Sequence, residues 1–521
     1  MMSAAVKLPC CIALQSNSKS DSGSYLRYVH ESGENYKRLQ INGKDANSPY
    51  TRYDVEASLL HQGLVHIRCR YNRKYWVPRR RGDGWWIVAD ADEREEDLTR
   101  PNCTLIKPII GVTTRTTGGD GGEAESVMTV RFVHAGQQLG KGARMIMTTP
   151  STKEGGEGNS TSARGAYMRV VGDVVEAEHK GAVEDVGFTV LNLSKSKRNL
   201  PKFVVFRQAQ DERYLSAVVV DNQLFLQFNS GDMGDPNVTH EIVQMDDGAS
   251  VRIRNVGRNA FWDLTPNDWI RPAVGSIVGQ DTRVRFEVTE VMDFFAIRSV
   301  LNGRFCRSDA GGGGGVARGL RAVDGNITTG ARIVVEEAIL HREIYGIEYD
   351  LRDSRVYATN VLTMATTSAA NDTSTAHTKR LRLFYEETEA ATWDTTLEVK
   401  LGYNATMRAG FPKLGLGATA SISAEFFGSF NWGESVETTV KHEVEYEVAV
   451  PPMTKVTVRL LATKSAVDVP FRYLQRDIML DGSTREAAYD DGRFTGVNSY
   501  DFHFETVEEE LPERKKHNRA S

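Results

Sequence analysis

The chain has 521 residues, of which 40% are hydrophobic and 26% are charged, and its formal net charge is -5. At roughly 100–200 residues per domain, this length predicts about three domains. The apolar content excludes a largely disordered chain. The negative charge excludes a protein that binds nucleic acid through a broadly basic surface.

The five cysteines are odd in number and scattered, which predicts neither a disulfide framework nor a zinc site. We expect them to be reduced. The first twenty residues contain one Lys and only a short apolar run, unlike a signal peptide. We therefore expect a cytoplasmic or nucleocytoplasmic protein. Because no run approaches the ~20 apolar residues of a membrane-spanning helix, any crossing of a membrane would require a closed β-barrel.

Short segments rich in β-branched and aromatic residues recur along the chain. Examples are LVHIRCRY at 64–71, VRIRNV at 251–256 and RIVVEEAIL at 332–340. Residues Gly, Asn, Asp and Ser separate these segments, and no long helical period is present. This pattern predicts an all-β fold, either sandwich or barrel.

An internal repeat divides the first two thirds of the chain. Residues 63–87 and 248–270 share one pattern: a strand ending in Ile-Arg, a turn, an aromatic-Trp pair, a polar loop and Trp-Ile. We predict two copies of one domain, at 5–196 and 199–340. A shorter unit of about 40–50 residues, repeated about three times in each copy, is typical of a β-trefoil.

The third segment, at 342–505, contains a long amphipathic hairpin at about 396–432, followed by a charged tail at 506–521. Apolar residues alternate with polar or small ones along both arms, with a predicted turn at Pro412-Lys413. The alternating apolar residues are Leu397, Val399, Leu401, Tyr403, Ala405, Met407, Ala409, Phe411, Leu414, Leu416, Ala418, Ala420, Ile422, Ala424 and Phe426.

Each arm of this hairpin is about 15 residues long, whereas ordinary strands have ~5–6 and membrane-spanning strands ~9–11. An apolar face opposite a small, polar face is what the wall of a membrane barrel requires. One hairpin leaves its edges unpaired in hydrocarbon, so several copies would have to close a ring. The alternative is a long amphipathic hairpin that keeps its apolar face on the core of its own domain.

The order of a Thr-rich approach, this hairpin and the segment KHEVEYEVAVPPMTKVTVRLL at 441–461 resembles the aerolysin-like, ETX/MTX2-type pore-forming module. The resemblance covers roughly 342–505. It implies an elongated β-rich domain whose insertion loop becomes a transmembrane β-hairpin on oligomerisation.

The two repeated domains resemble amaranthin-type plant lectins. The residues that carry the resemblance are at 63–67, 71–76, 85–87 and 104–108 in the first copy and at 261–262 and 267–270 in the second. The resemblance implies β-trefoils that recognise galactose/N-acetylgalactosamine-type disaccharides without a metal. Fusion of such lectins to an aerolysin-like module is a plant arrangement, which implies a role in plant defence.

A sugar has an apolar C–H face and a polar hydroxyl rim, which an aromatic ring beside a carboxylate or amide can bind together. Trp86 and Trp269 are each followed by Ile in a strand, so we predict them to be core residues. The predicted carbohydrate-binding residues are Asn72, Lys74, Tyr75, Trp76, Asp83, Trp85, Asn259, Phe261, Trp262 and Asp268.

No catalytic motif accompanies these features, so we expect no enzyme, no metal and no cofactor. The expected partners are glycans, a lipid membrane and further copies of the chain, without nucleic acid. The prediction is a carbohydrate-binding pore-forming protein that acts at target membranes. The competing prediction is a multivalent agglutinin whose third domain oligomerises and never inserts.

Overall fold

A computed structural model describes residues 7–512 except 18–22, 83, 117–123, 140–142, 149–165, 172–186, 195–199, 246–249, 274–280, 292–293, 310–315, 397–404 and 431. The described residues form three β-sheets of twelve, twelve and eight strands, which confirms the predicted all-β class. Short 3-10 helices lie at Gln137–Leu139, Thr282–Val284, Thr329–Ala331, Leu351–Asp353 and Leu416–Ala418. None of the described helices has the length and apolar content needed to cross a membrane.

The first sheet closes on itself. Its strands are β1 (Cys11–Ser16), β2 (Tyr25–Tyr28), β3 (Leu39–Gly43), β4 (Arg52–Ala57), β5 (Val65–Cys69), β6 (Tyr75–Arg81), β7 (Gly84–Ala91), β8 (Ile106–Thr116), β9 (Ala124–His134), β10 (Arg144–Thr148), β11 (Tyr167–Val171) and β12 (Phe188–Asn192). Strands β1, β4, β5, β8, β9 and β12 pair in a ring. The hairpins β2–β3, β6–β7 and β10–β11 meet outside that ring, where β11 pairs with β3 and β7. A six-stranded barrel capped by three hairpins is the β-trefoil architecture.

The second sheet repeats this arrangement. Its strands are β13 (Phe203–Gln208), β14 (Tyr214–Val220), β15 (Gln223–Ser230), β16 (His240–Gln244), β17 (Val251–Asn255), β18 (Ala260–Leu264), β19 (Ile270–Ala273), β20 (Phe286–Val291), β21 (Phe294–Ser299), β22 (Phe305–Ser308), β23 (Leu320–Asp324) and β24 (Ile333–Glu337). The ring is β13, β16, β17, β20, β21 and β24. Its capping hairpins are β14–β15, β18–β19 and β22–β23. Below, the two domains are called the first and second trefoil.

The third domain is built from much longer strands. They are β25 (Ile339–Tyr349), β26 (Arg355–Asn371), β27 (His377–Thr395), β28 (Ala405–Gly415), β29 (Thr419–Phe430), β30 (Ser435–Val450), β31 (Thr454–Met479) and β32 (Thr484–Glu510). The 26 residues of β31 extend roughly 80–90 Å at about 3.3 Å per residue. The domain therefore has the elongated form that was predicted. Because β32 continues to Glu510, the prediction of a tail from 506 is wrong for residues 506–510.

The hairpin β28–β29 lies at one edge of this sheet, in the order β29–β28–β25–β31. Strand β28 pairs in parallel with β25, and this pairing joins Arg342–Ile344 to Ala405–Met407. Along the rest of its length, β28 pairs with its own partner β29. The hairpin is thus joined to the rest of the sheet by a short ladder along one strand.

The first trefoil docks on the third domain through a buried carboxylate. Asp353 accepts hydrogen bonds from the hydroxyls of Tyr28, at 2.5 Å, and Tyr36, at 2.9 Å. Burial, reinforced by the charge of Asp350, raises the pKa of Asp353 above its ordinary 3.8, although both tyrosine hydrogen bonds oppose the rise. Further contacts across this interface are Tyr71 with Asp350, Arg73 with Asp468, Arg352 with Ser32 and Arg355 with the Asp92 carbonyl.

We predict that Asp353→Asn removes a pH dependence of stability. Because the folded-state pKa of Asp353 is raised, the folded chain holds its proton more tightly than the unfolded chain. Its contribution to stability is therefore complete below pH 3.8 and is lost as pH rises through the raised value. The unfolding free energy of the wild type minus that of the variant should fall as pH rises above 3.8, as measured by urea denaturation. A difference that rises with pH contradicts this assignment.

Candidate functional site

Several residues predicted to bind sugar in the first trefoil are internal. Trp76 is 0% exposed and packs edge-on against Tyr53 inside the barrel, with ring centroids 5.0 Å apart. The Asn72 amide bonds to the Ala89 carbonyl and accepts the backbone N–H of Lys74. The buried Lys74 ammonium lies 2.9 Å from a carboxylate oxygen of Asp92. Their prediction as sugar contacts is wrong for this conformation, because no face of Trp76 and almost none of Asn72 or Lys74 reaches solvent.

The remaining predicted residues of the first trefoil differ in their surroundings. Tyr75 is only 3% exposed: it packs in a cluster with Val77, Val88 and Ala91, and the Arg355 guanidinium of the third domain lies 5.8 Å from its ring centroid. Trp85 is half-buried and packs against the barrel core. Asp83 lies outside the described residues. Trp86 is buried, as predicted, and Arg38 lies 4.1 Å from its ring centroid.

In the second trefoil, Trp262 is 0% exposed and packs in the core, so its prediction as a sugar contact is also wrong. Asp268 accepts a hydrogen bond from Asn302, in the next repeat, at 3.1 Å. Asn259 is exposed and accepts a hydrogen bond from Arg254 at 2.8 Å. Phe261 is partly exposed, with the Arg254 guanidinium 6.0 Å from its ring centroid. Arg254 therefore contacts both Asn259 and Phe261. Asp268 belongs to a different group, with Asn302. Trp269 is buried, as predicted.

Arg254 belongs to a group that sequence reasoning missed. It stands opposite Phe261 in the β17–β18 register, and its guanidinium forms an ion pair with Glu241 of the neighbouring strand β16. A carboxylate, a guanidinium and a partly exposed aromatic ring thus meet on the outer face of the barrel. We call such a group a triad.

The triad occurs in all three repeats of the second trefoil. Arg298 stands opposite Phe305 and bonds to Glu287 at 2.5 and 3.0 Å. Arg207 stands opposite Tyr214 and bonds to Glu336 at 2.8 Å. In each case the arginine and the acid lie on adjacent strands of the barrel ring, at positions related by the threefold pattern of the fold. The three triads are Glu336–Arg207–Tyr214, Glu241–Arg254–Phe261 and Glu287–Arg298–Phe305.

Among the described residues of the first trefoil, one corresponding group is present. Arg68 stands opposite Tyr75, lies 3.1 Å from Glu56 and 3.2 Å from Asp54, and approaches the Tyr75 ring at 5.7 Å. The Tyr75 hydroxyl donates to Glu56 at 3.0 Å. In all four groups an aromatic residue follows the arginine by seven positions. This seven-residue spacing is the signal by which the sequence alone could have revealed the four groups.

The second candidate site is the hairpin of the third domain. The predicted turn at Pro412-Lys413 is wrong, because both residues lie inside β28 and the turn is the 3-10 segment Leu416–Ala418. The pairing register shifts between Gly410 and Phe411, leaving Ala424 of β29 without a direct partner. Beside this β-bulge, and without a turn, the buried positions of β28 change from odd-numbered, as at Ala409, to even-numbered, as at Leu414.

The apolar face of β28 is buried against its own domain. Ala405, Met407, Ala409 and Leu414 are buried in one cluster, with Phe411, Ala418 and Ala420 packed beside them. The cluster includes Trp393, Val467, Val469, Phe471, Tyr473 and Phe494. Leu416 is 86% exposed and Ile422 is 53% exposed. Leu397, Val399, Leu401 and Tyr403 lie outside the described residues, as do the side chains of Ala424 and Phe426.

Polar side chains of the domain hold the hairpin backbone. The buried Asn498 amide accepts the Leu414 N–H at 3.1 Å and donates to the Leu414 carbonyl at 2.9 Å. Asp501 accepts the N–H of Gly417 at 3.1 Å. The Tyr349 hydroxyl donates to the Gly410 carbonyl at 2.9 Å. Lys413 completes these tethers with an ion pair to Glu389 at 2.5 Å.

Comparison with known proteins identifies the beginning of the chain. Residues 6–115 match the family model of the agglutinin domain. The matched segment contains β1–β7 and all but the last residue of β8, and therefore the group around Arg68 and Tyr75. The family model is not that of an enzyme. No curated protein sequence matches the chain.

Solved structures give weaker likenesses. A lamprey immune protein is 13% identical, aligns with 61% of this chain and 94% of its own, and has a TM-score of 0.30. An aerolysin-like protein of Bombina maxima is 12% identical over 32% of this chain and 99% of its own, with a TM-score of 0.23. A lectin of Polyporus squamosus is 14% identical over 29% of this chain and 51% of its own, with a TM-score of 0.22. Because these TM-scores lie below 0.5, the likenesses carry no argument about function.

We predict that Asn498→Ala loosens the hairpin selectively. The substitution leaves a buried N–H and C=O of Leu414 without their side-chain partner, at a cost of about 1–3 kcal/mol. Amide hydrogen exchange across 405–430 should accelerate by roughly tenfold or more, while exchange in the two trefoils stays unchanged. The control is Asn360→Ala, which alters an exposed residue of β26. Equal acceleration in both variants contradicts the tethering role.

Proposed function

We propose that the chain is a non-enzymatic, carbohydrate-binding protein that forms membrane pores. Its trefoils would bind galactose/N-acetylgalactosamine-type glycans and concentrate the chain on a membrane. Its third domain would then oligomerise and insert the hairpin as part of a closed β-barrel. We propose plant defence as its role, with synthesis in the cytoplasm or nucleocytoplasm and action at a target membrane.

The observation that carries the pore-forming part is an amphipathic hairpin whose strand β28 packs its apolar face on its own domain. Its arms, of 11 and 12 residues, have the length of membrane-spanning strands, which is about 9–11 residues. Its attachment at a sheet edge means that detachment breaks few backbone hydrogen bonds outside the hairpin. The bulge and the short parallel ladder are weak points of the attachment.

The agglutinin match and the partly exposed aromatic and arginine side chains of the triads support the carbohydrate-binding part. Single sugar sites bind weakly, so several sites on one chain raise the effective affinity for a surface that displays many glycans. A ring of chains would multiply this effect. Glycan binding would therefore promote the assembly that membrane insertion requires.

The alternative function is a multivalent agglutinin that keeps its hairpin packed. The polar tethers at Leu414, Gly417 and Gly410 favour that reading, because they stabilise the packed arrangement. The two functions differ in one outcome, which is whether residues of β29 ever contact lipid.

Two adjacent residues of β29 test this contact. Ser421 and Ile422 are both exposed in the packed hairpin, so an arginine at either position should leave the fold intact. In an inserted barrel, Ile422 would face lipid and Ser421 the lumen. Arginine facing lipid near the midplane costs about 2–4 kcal/mol per chain. We predict that Ile422→Arg abolishes dye release from vesicles, whereas Ser421→Arg preserves it.

The vesicles should carry a galactose-terminated glycolipid, with glycolipid-free vesicles as the control for glycan dependence. Equal release by both arginine variants would contradict the assignment of lipid-facing and lumen-facing residues. No release by the wild type on either vesicle, with agglutination of glycan-coated beads intact, would leave the agglutinin function.

A further inference from the structure

We infer that the second trefoil has three equivalent sugar-binding subsites, each built on one of its Glu–Arg–aromatic triads. This inference rests on the proposed carbohydrate-binding function and specifies where and how many sugars bind. Its ligand class is a neutral glycan with a terminal hexose, such as a galactose-type disaccharide.

Each triad offers the chemistry that a hexose ring requires. The aromatic ring supplies an apolar surface for the C–H face of the sugar. The carboxylate accepts hydrogen bonds from hydroxyls, and the guanidinium donates them. Glu241 and Arg254, like Glu287 and Arg298, hold each other by an ion pair on adjacent strands. Donor and acceptor are thus ordered before a sugar arrives, which lowers the entropic cost of binding.

The aromatic and arginine side chains of these triads reach solvent, whereas Glu241 is largely buried beneath Arg254. Phe261, Phe305 and Tyr214 are all partly exposed, as are the three arginines beside them. Two triads lie entirely on the second trefoil. The third borders the third domain, because Tyr214 packs against a cluster that includes Met479.

The group in the first trefoil provides an internal contrast. Tyr75 has the same arginine and acid beside it, yet it is buried among residues of its own trefoil with Arg355 of the third domain over its ring. Arg355 is itself held there by Asp468 and by the Asp92 carbonyl. A sugar cannot reach Tyr75 in this arrangement, because only 3% of the residue is exposed. The docked chain should therefore bind three sugars and not four.

Stability does not account for the repeated triads. Partly exposed ion pairs contribute about 0–1 kcal/mol each, and a partly exposed aromatic ring adds little to a complete core. Replacing Phe261 or Phe305 with alanine should accordingly leave the trefoil folded. This makes both residues suitable for counting binding sites.

The experiment counts galactosyl-N-acetylgalactosamine molecules bound to the full chain by native mass spectrometry, with trehalose adducts subtracted as background. We expect three for the wild type, two for Phe261→Ala or Phe305→Ala, and one for the double variant. The matched control is Phe294→Ala, a partly exposed phenylalanine of the same trefoil that belongs to no triad. It should retain three.

If the wild type binds the disaccharide and the alanine variants bind the same number of molecules per chain, the triad assignment is overturned. The carbohydrate-binding function would still stand. A chain that binds none of this disaccharide, and none of a panel of neutral hexose disaccharides, overturns both. A fourth bound molecule that appears when Arg355→Ala uncovers Tyr75 would support the assignment further.

Discussion

The apolar face of strand β28 is buried by the core of its own domain, where Met407 and Leu414 join the cluster of Trp393, Phe471 and Tyr473. Full burial of one large apolar side chain contributes roughly 1.5–3 kcal/mol. A lipid bilayer would bury the same apolar side chains. Their contribution to the free energy of moving the hairpin from its domain into lipid would therefore be close to zero. In the proposed insertion, the polar tethers and the short ladder to β25 would set the barrier to release, and pairing between copies in a closed ring would supply the driving force.

The trefoils are coupled to this domain in different ways. The first trefoil docks through Asp353, which two tyrosine hydroxyls of that trefoil approach. The second is continuous with β25, and Arg342 at the junction lies 2.5 Å from Glu337 and 2.8 Å from Asp477. The hairpin's parallel ladder begins at the same Arg342. Movement of the second trefoil would therefore reach the strand that holds the hairpin.

The sequence predicted the all-β class, the repeated domain and the long hairpin, because alternation and repetition are local properties of the chain. It misplaced the turn, since a bulge near Gly410 and a turn both shift the phase of an alternating pattern. Trp76 and Trp262 were misassigned because the same aromatic-Trp pair can face the core or solvent, and only the barrel register decides which. The triads were missed because their acids lie on other strands, which the closed ring brings beside the arginines.

The most direct test is whether the hairpin must leave its domain. Glu343 and Thr406 are register partners across β25 and β28, within the Cα separation of about 4.4–6.8 Å that a disulfide bridges. Both would become cysteines in a Cys10→Ser background, because Cys10 is exposed. The oxidised protein should release no dye from glycolipid vesicles and should regain release on reduction. A disulfide between Thr406→Cys and Ser429→Cys, which joins only the two arms, should permit release. Full release from the oxidised Glu343–Thr406 variant would contradict the account, because the hairpin would then have acted without detaching.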